Sequence, residues 1–148
     1  MNPVIELVTT GNELLNGRTV NRHANALGDQ LSRLGLSLAR DTTIPDRIDV
    51  VVDCVSSALK RADIVFVTGG LGPTSDDITR EALSTLLARK IVPDQASLET
   101  LKQRYARLGR VVNESVARQI QVIEGAVVLS NSAGAAPGQR IELDNKKI

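Results

Sequence analysis

Thr68-Gly69-Gly70-Leu71-Gly72-Pro73-Thr74-Ser75-Asp76-Asp77 decides how this chain is read. It follows the apolar run Ile64-Val65-Phe66-Val67 and precedes a helix-period run from Ile78 to Arg89. The order is strand, glycine loop, helix. Glycines carry no Cβ, so their backbone N–H groups can approach an anion closely. The helix that follows adds unpaired N–H groups and the positive end of its dipole. The adjacent carboxylates Asp76 and Asp77 are of the type that holds a divalent cation beside a phosphate. The loop lacks Gly-Lys-Ser/Thr and is not a Walker A loop, nor does it fit the dinucleotide pattern G-x-G-x-x-G. Spacing alone leaves two readings open. One is an anion loop; the other is a tight turn with Ser75 or Asp76 as helix N-cap, worth about 1 kcal/mol. A cap accounts for one acidic residue but not for a pair beside Gly69, Gly70 and Gly72.

Outward from this loop, apolar runs alternate with helix-period patterns. Val4 to Val8 reads as a strand. From Asn21 to Leu34, Ala24, Leu27, Leu31 and Leu34 share one helical face, and Gly35 ends the helix. Leu36 to Ile44 reads as a second strand. From Arg47 to Arg61, Ile48, Val51, Val52, Val55, Ala58 and Leu59 form another stripe, despite a β-branched content awkward for a helix. Ile64 to Val67 is short and continuous, as a strand buried on both faces would be. After the glycine loop Ile78, Ala82, Leu83, Leu86 and Leu87 point inward. Pro93-Asp94 opens a further helix with the stripe Leu98, Leu101, Tyr105 and Leu108, closed by Gly109. Asn113 to Gln119 reads as a short helix. Ala126 to Leu129 and Gln139 to Leu143 read as late strands around Asn131-Ser132-Ala133-Gly134-Ala135-Ala136-Pro137-Gly138.

Such alternation predicts a mostly parallel sheet with helices on both faces. Ligands of such folds sit beyond the carboxyl ends of the strands. Thr10-Gly11-Asn12-Glu13, Ile44-Pro45-Asp46 and the glycine loop follow consecutive parallel strands and should share one sheet edge. The position of Asn131 to Gly138 depends on the direction of a late strand. Asp46-Arg47-Ile48-Asp49 resembles a capping box with Asp in place of Glu, and spacing favours that cap over a role in a site. Glu13 is either a solvated loop carboxylate or a chemical group. Arg18, Arg22, Arg80 and Arg118 are cations that sequence cannot place.

Composition narrows the classes. A chain of 148 residues fits one domain. The formal net charge is +1, with no basic block or acidic tail, so no nucleic-acid partner is indicated. Phe66 and Tyr105 are the only aromatics, too few for a base-stacking platform. Cys54 is alone and can form no internal disulfide. Glu6 interrupts the first apolar run, and neither a signal peptide nor a membrane span is evident. A cytoplasmic, soluble protein with no membrane partner is expected. His23, the sole histidine, lacks Cys or His partners for zinc or a nucleophilic triad. Cys54 has no activator nearby in sequence and reads as packing.

The stretch Thr10-Gly11-Asn12-Glu13-Leu14-Leu15-Asn16-Gly17-Arg18-Thr19-Val20-Asn21 resembles the opening signature of the CinA family, the competence-damage-inducible proteins. Gly69-Gly70-Leu71-Gly72-Pro73-Thr74 with Asp76-Asp77-Ile78-Thr79-Arg80-Glu81-Ala82 is the most specific match. Gly109-Arg110 with Asn113, Ala117-Arg118-Gln119, and Asn131 to Gly138 resemble its later motifs. The resemblance spans essentially residues 1–148, as one domain. It implies a molybdopterin-binding, MoaB/MogA-like fold, a three-layer α/β/α sandwich with a mostly parallel sheet.

For function, the resemblance implies metal-dependent hydrolysis of ADP-ribose to AMP and ribose 5-phosphate. Alternatives are a non-catalytic module for molybdopterin or a nucleotide, and a molybdopterin adenylyltransferase. Deamidation in that family belongs to another domain and is not implied here. Asp77, Asp46 and Glu13 match the family's acidic positions and become catalytic candidates. Gly69, Gly70, Gly72, Thr74 and Ser75 match its ligand loop, and Gly11 and Asn12 belong to the opening motif. Asp77, with Asp76 or Glu13, would hold a divalent metal such as Mg²⁺. A homo-oligomer is expected. Asn12 replaces the usual Thr or Asp, and Asn21-Arg22-His23 replaces Asn-Thr-Asn. The family pattern continues past Lys147-Ile148 into a strand and a Pro-Gly-rich loop that complete the pocket, so a truncated or naturally short member is expected, in which binding survives better than turnover.

Overall fold

The computed structural model describes residues 2–148. Six strands and helices lead to the glycine loop: β1 (Ile5–Thr10), α1 (Asn12–Leu15), α2 (Arg22–Arg33), β2 (Arg40–Ile44), α3 (Ile48–Arg61) and β3 (Ile64–Thr68). After it come α4 (Thr79–Leu87), β4 (Ile91–Pro93), α5 (Gln95–Arg107), α6 (Glu114–Arg118) and β5 (Gln121–Ile123). The chain finishes with β6 (Val127–Leu129), β7 (Gly138–Arg140), β8 (Glu142–Leu143) and β9 (Lys146–Lys147).

The main sheet has the order β2-β1-β3-β9-β8. β1 lies parallel to both β2 and β3, five residue pairs on each side. Flanked on both sides, β1 is buried over its whole length. Its Glu6 is 3% exposed and is matched by the fork of Arg61, at 2.6 and 2.7 Å. Helices lie on both sides of this mixed, mostly parallel sheet, the α/β/α arrangement expected. The core joins Val8 and Val65 of the sheet to Val51, Val55 and Ala58 of α3 and to Ala82 and Leu83 of α4. No helix among the described residues is long and apolar enough to cross a membrane.

Several expectations need correction. Phe66 is 37% exposed, whereas Val65 is fully buried, so β3 is not covered on both faces. Its outer flank pairs with β9 only at Ile64. Beside the remainder lies an apolar slot of about 410 Å³ with Leu129 and Ile141 on its other wall. Leu34, Ile48 and Leu108 fit their helical stripes but stand exposed at helix ends. The predicted strand from Gln139 to Leu143 divides at Ile141, whose backbone pairs with Ile148 at 2.8 and 2.9 Å. β4 and β5 were not anticipated; they form a separate antiparallel pair. With only three residues each they are too short to show a period.

Asn21 caps α2 by accepting from the N–H groups of His23 and Ala24, and Gly35 follows with φ 70°. Asp94 and Asn113 cap α5 and α6 in the same way. These starts were legible because a side-chain oxygen satisfies an orphan N–H.

Candidate functional site

Because β2, β1 and β3 run parallel, the segments after them meet at one edge. They enclose an open cleft of about 370 Å³. Thr10, Gly11, Asn12, Glu13 and Arg18 come from the first segment, Asp46 from the second, and Gly69, Gly70, Asp76 and Asp77 from the third. Eight of the residues proposed from sequence thus line one cavity. Gly72, Thr74 and Ser75 lie outside that lining.

Asp46 does not cap α3. The residue at that position is Arg47, which has no side-chain cap and pairs with Asp49 at 2.6 Å. The capping box fails because both of its ends are otherwise engaged. The Asp46 carboxylate instead accepts from the Thr10 hydroxyl at 2.8 Å and from the Asn12 N–H at 2.9 Å. It clasps the end of β1 to the end of β2. Gly11 donates to the Ile44 carbonyl at 3.1 Å, which strengthens the same junction. Glu13 follows on α1, exposed, with its carboxylate folded over Gly11.

The glycine loop turns sharply because Gly69 and Gly70 adopt φ 95° and 62°, the left-handed region open to glycine. A Cβ on Gly69 would collide with the Thr10 carbonyl, and one on Gly70 would stand 2.5 Å from the Thr79 hydroxyl. That hydroxyl donates to the Gly69 carbonyl at 2.8 Å. Neither Ser75 nor Asp76 caps α4; Ile78 precedes its first turn without a side-chain cap. Asp77 closes the loop on itself, accepting from the Thr74 N–H at 2.8 Å and the Thr74 hydroxyl at 2.7 Å. Desolvation raises the Asp77 pKa, but the bonds from Thr74 and the Gly72 N–H outweigh it and hold the carboxyl below its ordinary value. A Cβ on Gly72 would press on Asp77 at 2.5 Å. Gly72 and Thr74 therefore serve Asp77 here rather than the cleft. Asp76 and Ser75 are exposed beside them.

Two arginines hold the loop from behind. Arg80 is 1% exposed and donates to the Leu71 and Gly72 carbonyls at 2.8 and 2.9 Å. Burial pulls its pKa below that of an ordinary guanidinium. Arg118, on α6, donates to the Thr74 carbonyl at 2.9 Å and pairs with Glu81 at 2.6 Å. Neither reaches the cleft. Arg18 does line it, while Arg22 is exposed at the start of α2. Sequence reasoning missed Thr10 and the loop-holding role of both arginines. One signal was present: Arg80 falls between Thr79 and Ala82 on a helix with a buried face.

Asn131 to Gly138 does not join the site. It links β6 to the antiparallel β7 and borders a separate cavity of about 350 Å³ beside α5. His23 is exposed on α2. Burial raises the Cys54 thiol pKa, consistent with packing rather than reactivity. Among the described residues no three His, Cys, Asp or Glu side chains form a ready metal cage.

Residues 6–145 match the family model described as "Probable molybdopterin binding domain". A CinA-like protein of Fervidobacterium nodosum is 38% identical over 142 residues, covering 96% of this chain and 35% of that protein. The chain spans about a third of the length of the curated relatives it matches. The crystal structure of the CinA protein from Thermoplasma acidophilum aligns with a TM-score of 0.85 at 30% identity, over 98% of this chain and 85% of that one. The molybdopterin biosynthesis enzyme MoaB from Thermus thermophilus shares the fold, with a TM-score of 0.57 at 18% identity over 86% of this chain and 74% of that one.

Proposed function

The chain belongs to the molybdopterin-binding-domain family, with CinA proteins among its relatives, and from that premise we propose that its cleft binds the diphosphate of a nucleotide such as ADP-ribose and hydrolyses it with a divalent metal. The observation that carries this reading is the meeting of three strand ends on one cleft, lined by Glu13, Asp46, Asp76 and Asp77 together with Arg18, Gly69 and Gly70. Four carboxylates would repel a bare diphosphate. Their oxygen donors suit a hard cation, and Mg²⁺ is commonly held by one or two carboxylates together with substrate phosphates, without an all-protein cage.

Asp76 and Asp77 would hold the cation. A cation bound there supplies neutralisation of the phosphate oxygens, and it lowers the pKa of bound water. Gly69 and Gly70 let the backbone approach the phosphates without a Cβ in the way. Arg18 offers a guanidinium to phosphate oxygens not taken by the cation. Asp46, fixed by Thr10 and Asn12, orients the attacking water or the ribose hydroxyls. Glu13, exposed on α1, would accept a proton from that water as it attacks phosphorus, and the bridging P–O bond breaks to release AMP and ribose 5-phosphate.

Chromatography of ADP-ribose incubated with Mg²⁺ tests the reading. Release of AMP by the chain, strongly weakened in a folded Asp77→Ala variant, is the expected result. Turnover by that variant at the native rate rejects the assignment.

A second reading is binding of a nucleotide or molybdopterin without turnover. It is favoured by Asp77 being tied to Thr74 and by the lack of a three-ligand cluster among the described residues. Saturable heat in calorimetry with no product identifies it.

A further inference from the structure

We propose that Arg80 is the positioning residue of this cleft, a buried cation that sets the glycine loop from beneath and lies behind the phosphates without touching them. The inference rests on the diphosphate reading above.

Arg80 is among the most deeply buried side chains, at 1% exposure. Among the described residues no carboxylate forms an ion pair with it; the pairing of Glu81 is with Arg118. Its acceptors are two loop carbonyls, of Leu71 and Gly72. Among the described residues its Nε is buried without a hydrogen-bond partner. Burial of a cation is costly. The two loop carbonyls and the nearby charges of Glu81 and Asp77 offset that cost, and the hydrogen bonds of the fork go to the loop, so what the buried cation fixes is the loop backbone.

The geometry shows which way the loop donors point. Peptide bonds here are trans, and in a trans peptide the C=O and N–H point opposite ways. By drawing the Leu71 carbonyl toward itself, Arg80 turns the Gly72 N–H away, toward the Asp77 carboxylate. The guanidinium lies on one side of the loop wall and an anion on the other. A diphosphate in the cleft would extend the same arrangement, since Gly69 and Gly70 in that wall border the cavity. Donation to a carbonyl also polarises its peptide, which makes the N–H a stronger donor. Arg80 therefore acts on both the direction and the strength of the loop donors.

The test uses the whole chain with Arg80→Met and Arg80→Lys. Amide hydrogen exchange of Gly70, Gly72 and Thr74 is followed without ligand, against Leu7 and Val8 of β1 as internal reference. Affinity for ADP-ribose with Mg²⁺ is measured by calorimetry. In Arg80→Met the loop amides should exchange at least about tenfold faster with β1 unchanged, and affinity should fall by about tenfold or more, the equivalent of one charge-assisted hydrogen bond. Arg80→Lys keeps the charge but not the fork; it should recover part of the affinity while its loop amides stay fast. A merely structural role predicts a lower unfolding midpoint with native affinity in the folded protein, and that result overturns the proposal. Native exchange and affinity in Arg80→Lys overturn it as well, and this arm decides the matter where Arg80→Met does not fold. If the unaltered chain binds no ADP-ribose, the diphosphate reading falls, while the exchange measurement alone then supports or overturns control of the loop by Arg80.

Discussion

Asp77 accepts both the N–H and the hydroxyl of Thr74, at 2.8 and 2.7 Å, so the carboxylate nearest the glycines is held by its own loop. These bonds favour the charged form, and the folded pKa lies below the unfolded value of about 3.8. A carboxyl depressed on folding stabilises the protein above its unfolded pKa, and that increment is lost as pH falls through the folded pKa. Urea unfolding at neutral pH and at successive steps below pH 3.8 should show this loss in the native chain. Asp77→Asn should show a smaller loss over the same window. Identical pH profiles would mean the Thr74 bonds do not favour the ion.

Asp46 makes a second clasp, between strands. Asp46→Ala leaves the hydroxyl of Thr10, a residue 3% exposed, and the Asn12 N–H without their acceptor. An unsatisfied buried group costs about 1–3 kcal/mol, so denaturant unfolding should show a loss in that range. A loss near the 0.5 kcal/mol typical of surface changes, roughly, would return Asp46 to a solvated role.

The two clasps show how far the residues could be read in advance. The glycine loop, the parallel order of β1, β2 and β3, and the shared edge follow from local period and from the rule for crossovers, so Glu13, Asp46 and Asp77 could be placed in one cleft. What Asp46 and Asp77 bind could not be read. Asp46 had a local partner pattern in Asp49, but Arg47 takes Asp49, and the partner that wins, Thr10, lies on another strand. Arg80 was unplaceable for the same reason: its acceptors are backbone carbonyls, which leave no mark in residue type. Phe66 looked buried because a continuous apolar run implies cover on both faces, yet it lines an open apolar slot and stays 37% exposed.

Glycine substitutions separate conformation from space. Gly69 sits at φ 95° with a Cβ blocked by the Thr10 backbone, so Gly69→Ala should destabilise by at least about 1–3 kcal/mol, as strained backbone does. Gly28, inside α2, has nothing within 4 Å of the added atom. Gly28→Ala should stabilise by about 0.5–1 kcal/mol through helix propensity. Thermal or urea unfolding of the pair checks both signs, and a stable Gly69→Ala would refute the tight approach of loop and β1.

Asp76 provides the sharpest separation of metal from fold. It is exposed, and among the described residues its side chain makes one hydrogen bond, a 3.4 Å contact from the Ser75 hydroxyl. Asp76→Ala should therefore change stability by no more than about 0.5 kcal/mol. If the cation is held by Asp76 and Asp77, removal of one of two carboxylates should raise the Mg²⁺ concentration needed for half-maximal AMP release by about tenfold, roughly the effect of one lost charge-assisted bond. Chelation with EDTA should abolish release in both proteins, and added Mg²⁺ should restore it at different midpoints. Coincident Mg²⁺ titrations for the native chain and Asp76→Ala would leave Asp77 alone as the metal-holding carboxylate, and activity that survives chelation would remove the cation from the mechanism.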